Sequence, residues 1–312
     1  MDTSKVRASY QVYRILAVVV IVVGASFIVP RFASYANLLN LTRQVFLLTL
    51  IAYGISLSML VAGLDLSVGS VAALSSCLAA TFISEGNVLL GIAVGLAVGT
   101  LCGLFNGFLI AKLKLPDFIM TFSMMYIARG LALTYTQGES IYGFPGSFTW
   151  IGKSFIGPIP MPAIFSVAIM LLLYLLMTRT TFGRTTYAVG VSKPAAEFSG
   201  LSVSKNLIQI YGLSGFLAGF AGLIFIARFN SADANLGPMW PLDGIAVCVI
   251  GGVTFFGGEG NILGLLLGGI VMATINNCVN LLAIPPRFQD FFVGFIIIVA
   301  VAVDHYTKTR KH

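Results

Sequence analysis

Charged residues are scarce in this sequence. Asp, Glu, Lys and Arg make up only 9% of its 312 residues, whereas 58% of the residues are apolar. A typical water-soluble domain carries about 25% charged residues. A soluble fold of this size could not bury so many apolar side chains away from water. The composition therefore excludes an ordinary soluble protein.

Histidine and cysteine are also rare. Both histidines, His305 and His312, lie in the basic C-terminal tail, and the four cysteines lie in apolar stretches without paired spacing. Such cysteines are typical of inert buried side chains rather than of a disulfide or metal framework. They are Cys77, Cys102, Cys248 and Cys278.

Motifs of the common catalytic sites are missing as well. The sequence has no Gly-x-x-x-x-Gly-Lys-Ser/Thr phosphate loop, no His-Glu-x-x-His motif and no nucleophile–base set. We therefore expect no metal, no cofactor and no catalytic residue. The energy for any transport must then come from another chain or from an ion gradient.

The net charge of +7 does not indicate a nucleic-acid-binding protein. The Lys and Arg residues stand singly at the ends of apolar segments and are not gathered on one face. Positive residues flank the cytoplasmic ends of membrane-spanning helices because they resist translocation. The positive charge therefore indicates which ends of the helices are cytoplasmic, and it does not indicate a ligand.

Long apolar runs are what the sequence does contain. A helix needs roughly 20 apolar residues to cross a hydrocarbon core of about 30 Å, and only helices or closed barrels satisfy their backbone there. The runs favour helices, so we expect an all-α polytopic membrane protein with about ten spans. The expected spans are 12–29, 45–62, 71–83, 88–111, 116–135, 163–177, 206–227, 242–256, 261–284 and 288–303.

The distribution of Lys and Arg predicts the orientation. If the N-terminus is cytoplasmic, then Lys112, Lys114, the polar segment 178–205 and the basic tail are cytoplasmic too. The segments 136–162 and 228–241 become external loops, and the first of these should carry short helices. We expect one transmembrane domain over residues 1–312, with 178–205 as a cytoplasmic loop.

The two halves of the sequence echo each other weakly. A Gly-spaced helix that contains Gly103 and Asn106 precedes Pro116, and another that contains Gly268 and Asn276 precedes Pro285. Five spans per half would give two copies of opposite orientation, as in the inverted repeats of transporters. The glycine rows themselves are typical of close helix packing.

Polar residues inside the expected spans are candidates for a solute path, because they are costly in a membrane. Asp65 lies in a Gly-rich break at 63–70, where it either caps a helix or forms a wall of the path. The intramembrane asparagines could bind a polyhydroxylated solute or hold helices together. We expect Arg129 to snorkel to the interface or to pair with an acid such as Asp65 or Asp243. The path candidates are Asp65, Ser67, Asn106, Asp243, Asn276 and Asn277.

Five motifs in a fixed order resemble the ribose/xylose/arabinose-type sugar permeases of bacterial ABC importers. They are Gly-Leu-Asp-Leu-Ser-Val-Gly-Ser at 63–70, Asn-Gly at 106–107, Thr-Phe-Gly-Arg at 181–184 with Ala-Val-Gly at 188–190, Leu-Asp-Gly-Ile-Ala at 242–246 and Ile-Gly-Gly at 250–252. The resemblance covers residues 32–304.

This resemblance implies a permease subunit for a monosaccharide in the bacterial cytoplasmic (inner) membrane. It also implies a cytoplasmic ABC ATPase, an extracytoplasmic sugar-binding protein and a second permease chain, identical or not. Within 178–205 it implies a coupling helix that docks on the ATPase. The corresponding residues are Gly183, Arg184, Glu197, Phe198 and Gly200.

One departure and three alternatives remain. Family members usually carry an acidic pair and then a basic residue in the coupling loop, whereas this chain has Lys193 and then Glu197. The branched-chain amino-acid permeases share the architecture without the Asp-Leu-Ser-x-Gly-Ser motif. An ion-coupled secondary transporter would need an essential carboxylate, Asp65 or Asp243. A membrane enzyme would need a cluster of His, Asp and Glu, which the sequence lacks.

Overall fold

The computed structural model describes residues 3–285 and, beyond them, residues 288, 291, 294, 295 and 298. The tenth expected span and the basic tail therefore lie almost wholly outside the described residues. The helices are α1 (Thr3–Ile28), α2 (Tyr35–Leu60), α3 (Val68–Ser84), α4 (Val88–Lys112), α5 (Asp117–Thr136), α6 (Gly146–Lys153), α7 (Met161–Arg179), α8 (Thr181–Val191), α9 (Lys193–Phe198), α10 (Val203–Phe229), α11 (Trp240–Gly251) and α12 (Gly264–Leu281).

The helices confirm the all-α polytopic fold. Among the described residues, six helices are long and apolar enough to cross a membrane: α2, α4, α5, α7, α10 and α12. Three shorter apolar helical segments, 18–28 of α1, α3 and α11, accompany them. Together these nine helices correspond to the first nine expected spans.

Helices α2 and α10 form the centre of the bundle. They are 26 and 27 residues long, which corresponds to about 40 Å each. Both are apolar around most of their circumference, as is typical of buried helices. They cross closely at Gly54, where an added Cβ would lie 3.2 Å from the Ser214 carbonyl oxygen.

Helix α4 packs on α10 through small residues. A Cβ at Gly99 would lie 2.5 Å from the Gly215 carbonyl oxygen, and one at Gly219 would lie 2.9 Å from the Gly95 carbonyl oxygen. Side chains are excluded from this crossing, so the backbones themselves are in contact. The expectation that the glycine row serves close packing is confirmed.

The eighth expected span, 242–256, is wrong in its bounds. Helix α11 has only 12 residues, or about 18 Å, which is too short to cross a membrane. It ends because Gly252 adopts a left-handed conformation with φ of +87°, a typical helix C-terminal signal. A turn follows, in which the Thr254 amide donates to the Glu259 carbonyl at 3.0 Å.

The segment 178–205, expected as a loop in water, is mostly helical. Thr180 accepts a bond from the Gly183 amide at 3.3 Å and so caps α8. Ser192 accepts one from the Ala195 amide at 3.3 Å and caps α9. These caps supply the partners that the first turns of short helices need. Helix α8 also buries Val189 and Gly190 against the bundle.

Short strands order the opposite end of the bundle. Strand β1 (Ile141–Tyr142) pairs antiparallel with β4 (Ser231–Ala232), and β2 (Phe155–Ile156) pairs with β3 (Ile159–Pro160). The first pair joins the two segments that were expected as external loops. The expectation of short helices within 136–162 is confirmed by α6.

The order of elements in the two halves supports the inverted repeat. In the first half a long central helix, α2, is followed by a break, the short α3 and the Gly-rich α4. In the second half the long α10 is followed by the short α11, a break and the Gly-rich α12. The repeat itself stays a prediction.

Candidate functional site

Asp65 lies at the centre of a buried hydrogen-bond cluster in the break between α2 and α3. Only 2% of the residue is exposed. Its Oδ1 accepts bonds from the Ser67 amide at 3.0 Å and from the Ser67 hydroxyl at 2.6 Å. Its Oδ2 accepts a bond from the Ser214 hydroxyl of α10 at 2.7 Å. Both carboxylate oxygens are therefore bound by side chains or backbone of the protein itself.

The backbone of the same break is held by neighbouring helices. The Leu64 amide donates to Asp117 Oδ2 at 2.5 Å, and the Leu64 carbonyl accepts from the Thr121 hydroxyl at 3.2 Å. The Tyr211 hydroxyl lies 3.4 Å from the same carbonyl. Such partners are required, because an interrupted helix leaves backbone groups that lipid cannot satisfy.

Asn106 of α4 completes this cluster. Its Nδ2 donates to the Ser67 hydroxyl oxygen at 3.1 Å, the residue is fully buried, and its Oδ1 has no hydrogen-bond partner in the described part of the chain. The structure thus brings together three of the predicted path residues, Asp65, Ser67 and Asn106. Ser214 was not among the predicted residues, because its only signal in the sequence is a serine among the glycines of α10.

The geometry of the cluster favours the helix-cap interpretation of Asp65. A carboxylate that already accepts three hydrogen bonds while 2% exposed has little capacity left for a solute hydroxyl. It instead fixes the turn that leads into α3 against α10. A role of Asp65, Ser67 or Asn106 in the solute path stays a prediction.

Asn276 and Asn277 lie elsewhere, towards the C-terminal end of α12. Asn277 and Asn37 of α2 exchange two side-chain amide bonds, each 2.9 Å long, and Asn37 also donates to the Phe32 carbonyl. This pair joins two helices, as intramembrane asparagines often do. Asn276 is 8% exposed, and its Oδ1 has no partner among the described residues. A role of Asn276 in the solute path stays a prediction.

The remaining predicted polar residues lie on α11 and α5. Asp243 lies half-buried in the first turn of α11. Arg129 donates from Nη1 to the Ala234 carbonyl. Arg129 does not pair with Asp65, whose carboxylate is held by serines; its pairing with another acid or its snorkelling to the interface stays a prediction. Arg129 instead fastens the loop after β4 to α5.

The predicted coupling residues lie along α8 and α9. Phe198 at the end of α9 is 93% exposed, although it is a large aromatic side chain. Arg184 and Glu197 are also exposed, whereas Gly183 is buried where a Cβ would collide with the Met177 backbone. Gly200 has φ of +78° and open space around it. The exposed Phe198 side chain is therefore available for contact with another protein, and its coupling role stays a prediction.

Helix α8 also touches both breaks in the bundle. The Gly258 amide donates to the Leu60 carbonyl, the last of α2, at 3.0 Å. The Tyr187 hydroxyl donates to the Gly260 carbonyl at 3.0 Å, and burial raises the pKa of Tyr187. Gly190 of α8 fits against Leu60 and Gly258 with no room for a Cβ. Three segments therefore meet in one contact, which we call the glycine junction. It consists of Tyr187 and Gly190 of α8, Leu60 at the end of α2, and the turn 257–260.

Comparison with known proteins identifies the family. A protein-family model described as "Branched-chain amino acid transport system / permease component" matches residues 37–301. The chain belongs to this permease family. Like other permeases of the family it is a multi-pass protein of the bacterial inner membrane, in agreement with its six long apolar helices. No solved structure shows significant similarity to the chain.

Relatives within this permease family cover nearly the whole chain. The ribose import permease protein RbsC of Bacillus subtilis (strain 168) is 40% identical over 93% of this chain and 91% of its own length. The D-allose transport system permease protein AlsC of Escherichia coli (strain K12) is 37% identical, over 95% and 91%. The galactose/methyl galactoside import permease protein MglC of the same organism is 34% identical, over 90% of each chain. The resemblance to sugar permeases is thus confirmed.

Proposed function

We propose that this chain is the permease subunit of an ABC importer and forms the membrane path for a monosaccharide. The observation that carries this proposal is similarity over nine-tenths of the chain to permeases named for ribose, allose and galactose. All three names refer to monosaccharides. We therefore propose a monosaccharide as the class of substrate and do not propose one particular sugar. The relatives' names do not favour the amino-acid alternative.

The permease itself is not an enzyme in this proposal, and a separate cytoplasmic ATPase powers transport. Support comes from α9, where the Phe198 side chain is 93% exposed. An exposed aromatic anchor of this kind fits a pocket on a protein partner. Residues 178–205 then act as the coupling segment, with Phe198 as its central contact.

A sugar-binding protein is expected to dock at the opposite end of the bundle. There β1 and β4 join the two loop segments into one surface. Ser140 donates to Asp233 Oδ2 at 2.9 Å, and the Phe144 amide donates to Asn230 Oδ1 at 3.0 Å, which fixes the loops to each other. A preordered surface binds with less loss of conformational entropy than mobile loops do.

A second permease chain completes the solute path in this proposal. Two copies, or this chain and a sister chain, would enclose a path between them. Asn106 and Asn276 both have a carboxamide oxygen without a partner within the described residues, and we favour Asn276 because it lies outside the Asp65 cluster. A weak site of this kind suits transport, because tight binding would hinder release.

The decisive test is purification of the tagged chain in mild detergent from its native host, followed by identification of co-purifying proteins and measurement of ATPase activity. We expect a nucleotide-hydrolysing subunit to co-purify and its activity to rise with sugar-loaded binding protein. A chain that purifies alone and moves solute in vesicles under an ion gradient would contradict the proposal.

The coupling role of 178–205 is tested at Gly200. Its φ of +78° and the open space around it mean that substitution there strains the backbone without a steric clash. Gly200→Val should therefore weaken ATPase stimulation, whereas Gly200→Asn should retain more of it, because asparagine tolerates this conformation. Equal stimulation in both variants and the wild type would contradict the assignment.

A further inference from the structure

Three cationic side chains are gathered at the end of the bundle opposite α8 and α9. Arg43 of α2 donates from Nη2 to the carbonyl of Lys153, the last residue of α6, at 3.1 Å. The preceding residue, Gly152, fits against the backbone of Arg228 near the end of α10 with no room for a Cβ. The C-terminal end of α6 therefore lies between Arg43 and Arg228, and the exposed Lys153 side chain extends from the same place.

These cations have no acidic partner within the described chain. Arg43 stacks on the ring of Phe155 at 4.3 Å, and Arg228 on that of Phe229 at 5.1 Å. Arg43 Nε is buried without a hydrogen-bond acceptor among the described residues, and the two arginine charges repel each other. Half-buried like charges at one place are costly unless an anion compensates them.

An exposed apolar surface adjoins the cations. Trp150 of α6 is 50% exposed, and Ile156 and Ile159 of the β2–β3 hairpin are 58% and 50% exposed. The hairpin leads directly into α7, a helix long and apolar enough to span a membrane, whose C-terminal half exposes Leu171, Leu172 and Leu175. The apolar surface thus lies at the start of a membrane-spanning helix. Tryptophan beside Lys and Arg at the end of such a helix is typical of the membrane–water interface.

We infer that this surface binds an anionic membrane lipid, with the lipid phosphate held between Arg43, Lys153 and Arg228 and the acyl chains against Trp150 and the β2–β3 hairpin. Arginine recognises phosphate oxygens through its planar array of N–H donors, and each cation near an anionic headgroup adds to the attraction. The bound lipid would fasten α6 to the outer ends of α2 and α10, next to the proposed docking surface.

The two tryptophans of the chain allow a direct test. Trp240→Phe leaves Trp150 as the single tryptophan, so its fluorescence in vesicles reports the lipid next to it. The full-length chain is reconstituted in phosphatidylcholine vesicles that contain equal mole fractions of either brominated phosphatidylglycerol or brominated phosphatidylcholine. We expect stronger quenching by the anionic lipid. Each cation removed should lower this preference by about fivefold.

Substitutions of the cations then show whether the stronger quenching by the anionic lipid depends on its headgroup or only on contact with the membrane. Lys153→Gln changes a fully exposed side chain and should lose part of the preference, whereas Arg43→Gln combined with Arg228→Gln should lose nearly all of it. Lys112→Gln combined with Arg179→Gln, at the other end of the bundle, is the matched control and should keep it.

Three outcomes would overturn the inference. Equal quenching by both brominated lipids in the unaltered cluster would show apolar contact without headgroup recognition. Absence of quenching by either lipid would place Trp150 against a protein partner instead of the bilayer. Loss of the preference on addition of excess inorganic phosphate would show a site for a soluble anion rather than for a lipid.

Discussion

Substitution of Asp65 tests whether this buried carboxylate is structural or acts on the solute. Asp65→Ala removes the acceptor of three hydrogen bonds. The hydroxyls of Ser67 and Ser214 can rotate towards other acceptors, but the Ser67 amide has no alternative. Asp65→Asn keeps an oxygen for Ser67 and offers an amide nitrogen to the Ser214 oxygen, so most of the cluster can re-form.

The expected magnitudes differ between these two variants. A buried donor left without a partner costs about 1–3 kcal/mol, and hydrogen bonds to a charged group contribute about 1.5–3 kcal/mol each. We expect Asp65→Ala to lower the free energy of unfolding by about 3–5 kcal/mol. For Asp65→Asn we expect a loss of about 1 kcal/mol, with sugar uptake per folded molecule close to that of the wild type.

Thermal unfolding in detergent can be followed with a thiol-reactive dye once the partly exposed Cys102 and Cys278 are replaced by alanine, because Cys77 and Cys248 are buried and free and become reactive only when the bundle opens. Uptake is measured in parallel in reconstituted vesicles. If Asp65→Asn unfolds like the wild type but has lost uptake, the carboxylate acts on solute or on a coupling ion, and the structural interpretation is refuted. A fully stable Asp65→Ala would refute the geometry itself.

Three further substitutions test other parts of the structure. Phe198→Ala should lower ATPase stimulation several-fold without changing the unfolding temperature, because the side chain is 93% exposed; a lower unfolding temperature would show that it packs on its own chain. Tyr187→Phe removes only the bond to the Gly260 carbonyl, so ATPase binding should persist while uptake per ATP falls; unchanged coupling would contradict the glycine junction. Gly215→Val should separate α4 from α10 and cost about 3 kcal/mol in the dye assay, a loss that Gly130→Ala, with open space around it, should not show.

Much of the fold could be predicted, because a helix that spans a membrane requires a long run of apolar residues. Runs of apolar residues predicted the bounds of α4 and α5 within a few residues, and Pro116 marks the start of α5. The cluster around Asp65 was partly visible too, since Asp, Ser and Gly in an apolar stretch signal a break that neighbours must satisfy.

Other features could not be predicted, because they depend on residues far apart in the sequence. Nothing in the run 242–256 shows that α11 stops at Gly251, since glycines also occur inside long helices such as α4. The bond between Ser214 and Asp65 joins residues 149 positions apart. The Asn37–Asn277 pair spans 240 positions. Which residues pair over such sequence distances depends on how the helices pack, and the local sequence does not show it.

The glycine junction explains why both breaks in the bundle need their particular residues. The first break begins after Leu60, whose carbonyl holds Gly258 of the second break, and α8 contacts both through Gly190 and Tyr187. If an ATPase displaces α8 and α9, as proposed above, we expect both breaks to move together. Closely packed interiors change between discrete arrangements rather than deforming continuously.

The Asp65 cluster lies just beyond this junction along the chain. Since Asp65 ties the first break to α10 through Ser214, a shift at Leu60 acts directly on the crossing of the two central helices. A buried polar network with all its members bonded holds one arrangement, because each lost bond leaves a buried group without a partner. We therefore expect the cluster to pass a shift at Leu60 to α10 as a unit, and substitutions that break it to weaken this connection.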